Sequence, residues 1–269
     1  MSTEPEVRLG TSSFTAKGWE TSFYPKGMKA AEYLTFYSTK FDTVEIDATF
    51  YRAPSAAVVN GWARKVPDGF HLAAKVPQAI THEKVMVDCD DDVKYFVDTM
   101  SLMGDKLGPL LFQFGYFNKQ AFKTGNDFLA RLEKFLKCLP KGPKFALEIR
   151  NKNWLSKPVF DLLRSHNTAF VLIDQSWMPT VSEIFDRFDP TTADFTYIRW
   201  LGDRKAIELQ TKVWDKTVVD RTRDLQDWVK ACYTIQKRGT TIFAYANNHY
   251  AGHAPATIKL FQDLYDKAK

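Results

Sequence analysis

The chain's 269 residues, 45% hydrophobic and 26% charged, suit one globular domain with a large core and exclude a disordered or fibrous chain. Its net charge of +5, spread without long runs of one sign, permits an anionic ligand and excludes a dedicated DNA-coating surface. Residues 1–7 are polar and acidic with no signal-peptide core, and no apolar stretch reaches membrane-span length, so a cytoplasmic protein without a membrane partner is expected. Cys89, Cys138 and Cys232 are far apart with no CxxC pair; they are read as reduced residues buried on helices.

Predicted strands cover residues 8–13, 43–47, 71–76, 110–114, 145–150, 169–174, 195–200 and 241–247, with helical patterns between them. Ala30, Tyr33, Leu34 and Tyr37 form one apolar stripe, and Leu225, Trp228, Val229, Cys232 and Ile235 another. A third runs through Ile258, Phe261, Leu264 and Tyr265, behind Pro255 at a helix start. Eight strand–helix units predict a parallel sheet closed into a single (β/α)8 TIM-type barrel over residues 1–269. An open doubly wound sheet is the alternative, but no GxGxxG follows the first strand.

Strand alternation assigns the inward side chains in chain order. Val44-Glu45-Ile46-Asp47 turns Glu45 and Asp47 to the axis. Leu72 and Ala74 face the helices and Lys75 points in; Leu110, Phe112 and Phe114 face out and Gln113 in. The fifth strand presents Ala146, Glu148 and Arg150 to the axis. Asp174 closes the sixth, and Arg199 shares with Tyr197 a parity opposite to Ile198. Asn247 and Asn248 end the eighth and lead through His249 to the Pro255 helix.

Acidic Glu45, Asp47, Glu148 and Asp174 and basic Lys75, Arg150 and Arg199 therefore gather at the strands' carboxyl ends, where barrels keep their sites. A buried ion costs several kcal/mol unless paired. The set is thus either an ion network closing the barrel top or a ligand site, and the ligand site is preferred. On that reading, Glu148→Gln should change stability little, and Arg199→Ala should weaken a phosphate response without unfolding the chain.

Gly10-Thr11-Ser12, Gly18-Trp19, Phe23-Tyr24-Pro25, Thr43-Val44-Glu45-Ile46 and Thr49-Phe50-Tyr51-Arg52 resemble the YecE-like family, domain of unknown function seventy-two. Leu110-Leu111-Phe112-Gln113-Phe114, Glu148-Ile149-Arg150 with Trp154, and Asn247-Asn248 fit as well, so the resemblance runs from about Arg8 to Leu264. It implies a TIM-type barrel and no particular reaction. Thr11-Ser12-Ser13-Phe14 stands where Ser-Gly-Trp is usual in the family, and Gln113-Phe114-Gly115 where Gln-Phe-Pro is.

The preferred function is a mouth that binds or transforms a small phosphorylated or carboxylated compound by acid–base chemistry, as a carboxylate-based hydrolase, lyase or isomerase if it is an enzyme. Glu45, Glu148, Asp47 and Lys75 are the catalytic candidates. Gln113, Arg150, Asp174, Arg199, Asn247, Asn248, His249, Tyr51, Arg52 and Trp154 are the binding candidates, with the anion expected beside strands seven and eight. Five histidines without HExxH argue against a multi-zinc site; no cofactor is evident, and one divalent cation on carboxylates stays open. A nucleic-acid-binding or Mg-dependent nuclease-like barrel is the less favoured alternative, drawing on Phe50, Tyr51, Trp154, Trp177, Trp200 and Trp214 for stacking. Glycoside hydrolysis by Glu45 and Glu148 and a non-enzymatic ligand sensor complete the set.

Overall fold

Each alternating run becomes a strand in the computed structural model, which describes residues 6–268; the first part of the polar start, residues 1–5, lies outside them. The strands are β1 (Val7–Thr11), β2 (Thr43–Ile46), β3 (His71–Lys75), β4 (Leu107–Gln113), β5 (Phe145–Glu148), β6 (Thr168–Gln175), β7 (Phe195–Gly202) and β8 (Thr241–Ala246). All ladders are parallel, in the order β1-β8-β7-β6-β5-β4-β3-β2, with helices between successive strands. This is the expected (β/α)8 barrel.

Side-chain parity divides the core in two. Val44, Leu72, Leu110, Phe112, Leu147 and Ile198 pack outward against helical residues such as Phe135, Leu225 and Ile258. Inside the barrel, small Ala73, Ala146 and Ala169 on β3, β5 and β6 leave room for Phe195, Tyr197, Phe243 and Tyr245 from β7 and β8. The lower interior is therefore an aromatic plug, and the ionic groups sit above it.

Strand β4 starts three residues earlier than expected, because Gly108 and Pro109 read locally as breakers. The β3–β4 register shifts between Leu72 and Ala74, and Gly108 lies so close that an added Cβ would come 2.9 Å from Ala73 N. A bulge accommodates both residues. The stripes over Thr222–Gln236 and Ala254–Lys267 form long helices, whereas the first expected stripe makes only a 3-10 turn, Ala30–Glu32, and the short helix Tyr33–Tyr37.

The seam between β1 and β2 carries a backbone bond from Asp42 N to Leu9 O at 3.3 Å and is bridged further along by a side chain. The Tyr37 hydroxyl, fully buried, accepts from Thr11 N at 2.8 Å and donates to Thr43 O at 3.3 Å. It takes the place of a direct ladder bond. Gly10 permits the approach, since a Cβ there would fall 1.9 Å from Thr43 O. Tyr37→Phe should cost about 1–3 kcal/mol, the penalty for unpaired buried backbone groups. Urea melts measure it, and a loss below about 0.5 kcal/mol would show that the seam closes without this hydroxyl.

Candidate functional site

Above the aromatic plug, Arg199 on β7 reaches across the barrel and holds two carboxylates. Its Nη2 donates to Glu45 Oε1 at 2.7 Å and its Nη1 to Glu148 Oε2 at 2.6 Å. The Tyr197 hydroxyl donates to Glu45 Oε2 at 2.5 Å, and Arg150 Nε donates to Glu148 Oε1 at 2.6 Å. Glu45 and Glu148 are 0% exposed and Arg199 3%. All four carboxylate oxygens carry a charged or phenolic donor.

Identical side chains here meet different fields. Burial would raise the Glu148 carboxyl, but the guanidiniums of Arg150 and Arg199 overcome it and hold the group at about 2. Burial also raises Glu45, and there a single guanidinium does not cancel it; the charge of Asp47 adds to the rise. Glu148 is thus a fixed anion. The expectation of Glu45 and Glu148 as acid and base in a partly hydrated mouth is corrected: both are enclosed and committed to holding Arg199.

The groups nearer the opening are Lys75 and Asp47. Asp47 begins a 3-10 turn just after β2, with its side chain 39% exposed, and its Oδ1 lies 3.4 Å from Lys75 Nζ. The Phe50 ring covers the amine, its centroid 3.8 Å from Nζ, and His82 meets that ring edge-on at 5.0 Å. The Lys75 ammonium makes no hydrogen bond among the described residues, while the residue's backbone carbonyl accepts from Thr49 Oγ1 at 2.6 Å. Burial lowers its pKa, Asp47 opposes that, and Arg199 reinforces it. Gln113, buried beside Glu148 in the β4–β5 register, has no hydrogen-bond partner for its amide among the described residues. The loop after β3 holds Val85, Met86 and Asp88 at φ 46°, 65° and 48°, a left-handed conformation that costs non-glycine residues about 1–3 kcal/mol each.

The structure places the other candidates elsewhere. Asp174 has outward parity next to inward Ile173, and its Oδ2 accepts from Trp228 Nε1 at 2.8 Å and Tyr250 OH at 2.9 Å. It ties β6 to the outer helices. Asn247 Oδ1 caps the turn at His249 N, 2.9 Å, and Asn248 Oδ1 caps the last helix at Ala254 N, 2.9 Å. His249 is engaged on both ring nitrogens, by Asn247 and by Glu208. The anion locus expected beside β7 and β8 is therefore filled by capping chemistry. Trp154 packs with Phe117, Phe122 and Phe128, as a core aromatic. Tyr51, 75% exposed, and Arg52 line a groove of about 940 Å³ beside the mouth, with Trp62 and Tyr95. A larger cavity of about 1000 Å³ opens at the opposite, amino end of the barrel, away from the ion network.

Two neighbours of the network were not selected from the sequence. Tyr197 shares the parity of Arg199, a signal that was available; His82 lies in a short π-helical turn, Ala79–Glu83, where no periodicity of the sequence marks it. Cys89 and Cys232 are buried as expected, whereas Cys138 is exposed at the end of its helix. Among the described residues no three His, Cys, Asp or Glu gather as a metal site, and no helix is long and apolar enough to cross a membrane.

Fold and site together define a TIM-type barrel whose carboxyl-end mouth is built on a buried Glu–Arg–Glu bridge. The chain belongs to the family described as "Protein of unknown function DUF72", whose model matches residues 8–269. It is 26% identical over 271 residues to UPF0759 protein YunF of Bacillus subtilis, covering 93% of each chain. It is 29% identical over 121 residues to UPF0759 protein YecE of Escherichia coli K12, covering 45% of this chain and 42% of that one. The crystal structure of a DUF72 family protein from Thermotoga maritima superposes with a TM-score of 0.74 at 24% identity, over 98% of both chains. The family carries no assigned activity.

Proposed function

We propose that the β3–β5 side of the mouth binds a small phosphorylated or carboxylated compound, and that Lys75 and Asp47 move the proton in its chemistry. One observation carries this: the Lys75 ammonium and the Gln113 amide end adjacent strands with no hydrogen bond among the described residues. Donors left open at a barrel mouth suit an anion. Arg150, still partly exposed beside them, supplies a second cation. The free thiols support a reducing, cytoplasmic setting.

Phosphate or sulfate should raise the thermal midpoint above that in chloride of equal ionic strength, because a ligand specific to the native state stabilises it. Lys75→Met and Gln113→Ala should each reduce that rise. A rise equal to the parent's in both variants would exclude this side of the mouth.

A further inference from the structure

We propose that Lys75 is an amine nucleophile that forms an imine with the carbonyl carbon of a small oxo acid held at the mouth. The inference rests on the anion-site reading above and adds a substrate class to it.

The three cations of the mouth are engaged unequally. Arg199 and Arg150 donate to carboxylates at 2.6–2.7 Å, with every oxygen of Glu45 and Glu148 occupied. None of those oxygens bonds to Lys75, whose ammonium has an ion pair with Asp47 at 3.4 Å among the described residues. Phe50 shields one side of the amine, with its centroid 3.8 Å from Nζ. The amine is thus partly desolvated and held by no hydrogen bond among the described residues. A desolvated lysine beside other cations is how proteins expose an amine lone pair near neutral pH.

Asp47, Glu45, Glu148 and Arg199 all act on this amine, and burial prevails among them in lowering its pKa. His82 and Arg150 complete the charged or titratable surroundings. Once neutral, Nζ attacks the carbonyl carbon, forming the C–N bond as the carbonyl π pair moves to oxygen. Asp47 takes a proton from nitrogen and returns one to that oxygen. Asp47 then carries the second nitrogen proton to the carbinolamine hydroxyl, which leaves as water while the nitrogen lone pair forms the C=N bond to Lys75. Amine plus carbonyl gives imine plus water, so no oxidant or reductant takes part. Arg150 and the Gln113 amide are the groups placed to hold the oxo acid's carboxylate.

The test incubates the full chain with glyoxylate or pyruvate, reduces it with sodium borohydride, and maps the adduct by peptide mass spectrometry. One adduct per chain is expected, on Lys75, absent in Lys75→Arg and formed more slowly in Asp47→Asn. The map of the parent protein stands on its own should Lys75→Arg fold poorly. Adducts scattered over exposed lysines such as Lys94, Lys157 and Lys259, with Lys75 unmodified, would overturn the inference. If phosphate still raises the thermal midpoint in that case, the anion site stands and only the imine fails; if it does not, both fail.

Discussion

Glu148→Gln should destabilise the barrel by about 3–5 kcal/mol at neutral pH, the usual cost of breaking a buried ion pair. The carboxylate accepts Arg150 on one oxygen and Arg199 on the other, in full enclosure. Glutamine keeps the shape but offers one acceptor and one NH2 group, so one guanidinium would face a donor. The sequence-based expectation of a near-neutral substitution is reversed, because it assumed water in the mouth at this depth. Proton linkage gives a second measurement. The folded-state pKa of about 2 lies below the ordinary 4.5, so the contribution is complete above about pH 4.5 and is lost as pH falls toward 2. It amounts to roughly 3 kcal/mol. Glu45, raised by burial, works in the opposite sense: its ionised form costs stability, which returns as pH falls through its folded-state value. Denaturant melts across this range should show a flatter acid limb in Glu148→Gln than in the parent. Equal neutral stability and parallel acid limbs would leave Glu148 without a structural role.

Arg199→Met should be the more damaging substitution, at or beyond about 5 kcal/mol at pH 7.5, since it breaks two buried pairs at once. Against the about 5–15 kcal/mol typical of whole domains, that loss approaches global unfolding. The earlier expectation that Arg199→Ala would leave the fold intact is corrected by the enclosure of this guanidinium between Glu45 and Glu148. The pH response identifies the cause. Without Arg199 both carboxyls have folded-state pKa values raised relative to the parent, and where these exceed the unfolded value the penalty disappears as pH falls. The variant should therefore gain stability between about pH 7.5 and 5.5, while Glu148 in the parent stays ionised there. Adding Glu45→Gln to the variant should recover part of the loss at pH 7.5. A variant as stable as the parent, with no gain on acidification, would mean that water enters the mouth and solvates these groups.

Much of the architecture was legible because strand periodicity is local covalent geometry. Alternation in Val44-Glu45-Ile46 and in Phe145-Ala146-Leu147-Glu148 assigns the inward carboxylates whatever the rest of the chain does. It placed Lys75, Gln113 and Arg199 in the same way. The same periodicity, followed through inward Ala169, Val171 and Ile173, would have turned Asp174 outward. Asn247 and Asn248 were ambiguous for another reason: an amide that can bind an anion is also a good helix cap. Which role it takes depends on where the next helix begins.

The sequence by itself determined the barrel and most of the side chains that point to its axis, since these follow from patterns within ten or so neighbouring residues. Only the tertiary structure decided which of those side chains meet. Arg199 lies 154 residues from Glu45 and 51 from Glu148 along the chain, and they touch because closure of the sheet brings β2, β5 and β7 across one axis. Closure also sets the depth at which each group sits. Burial and two arginines make Glu148 a fixed anion, while Lys75 and Asp47, nearer the opening, keep atoms that a ligand can reach.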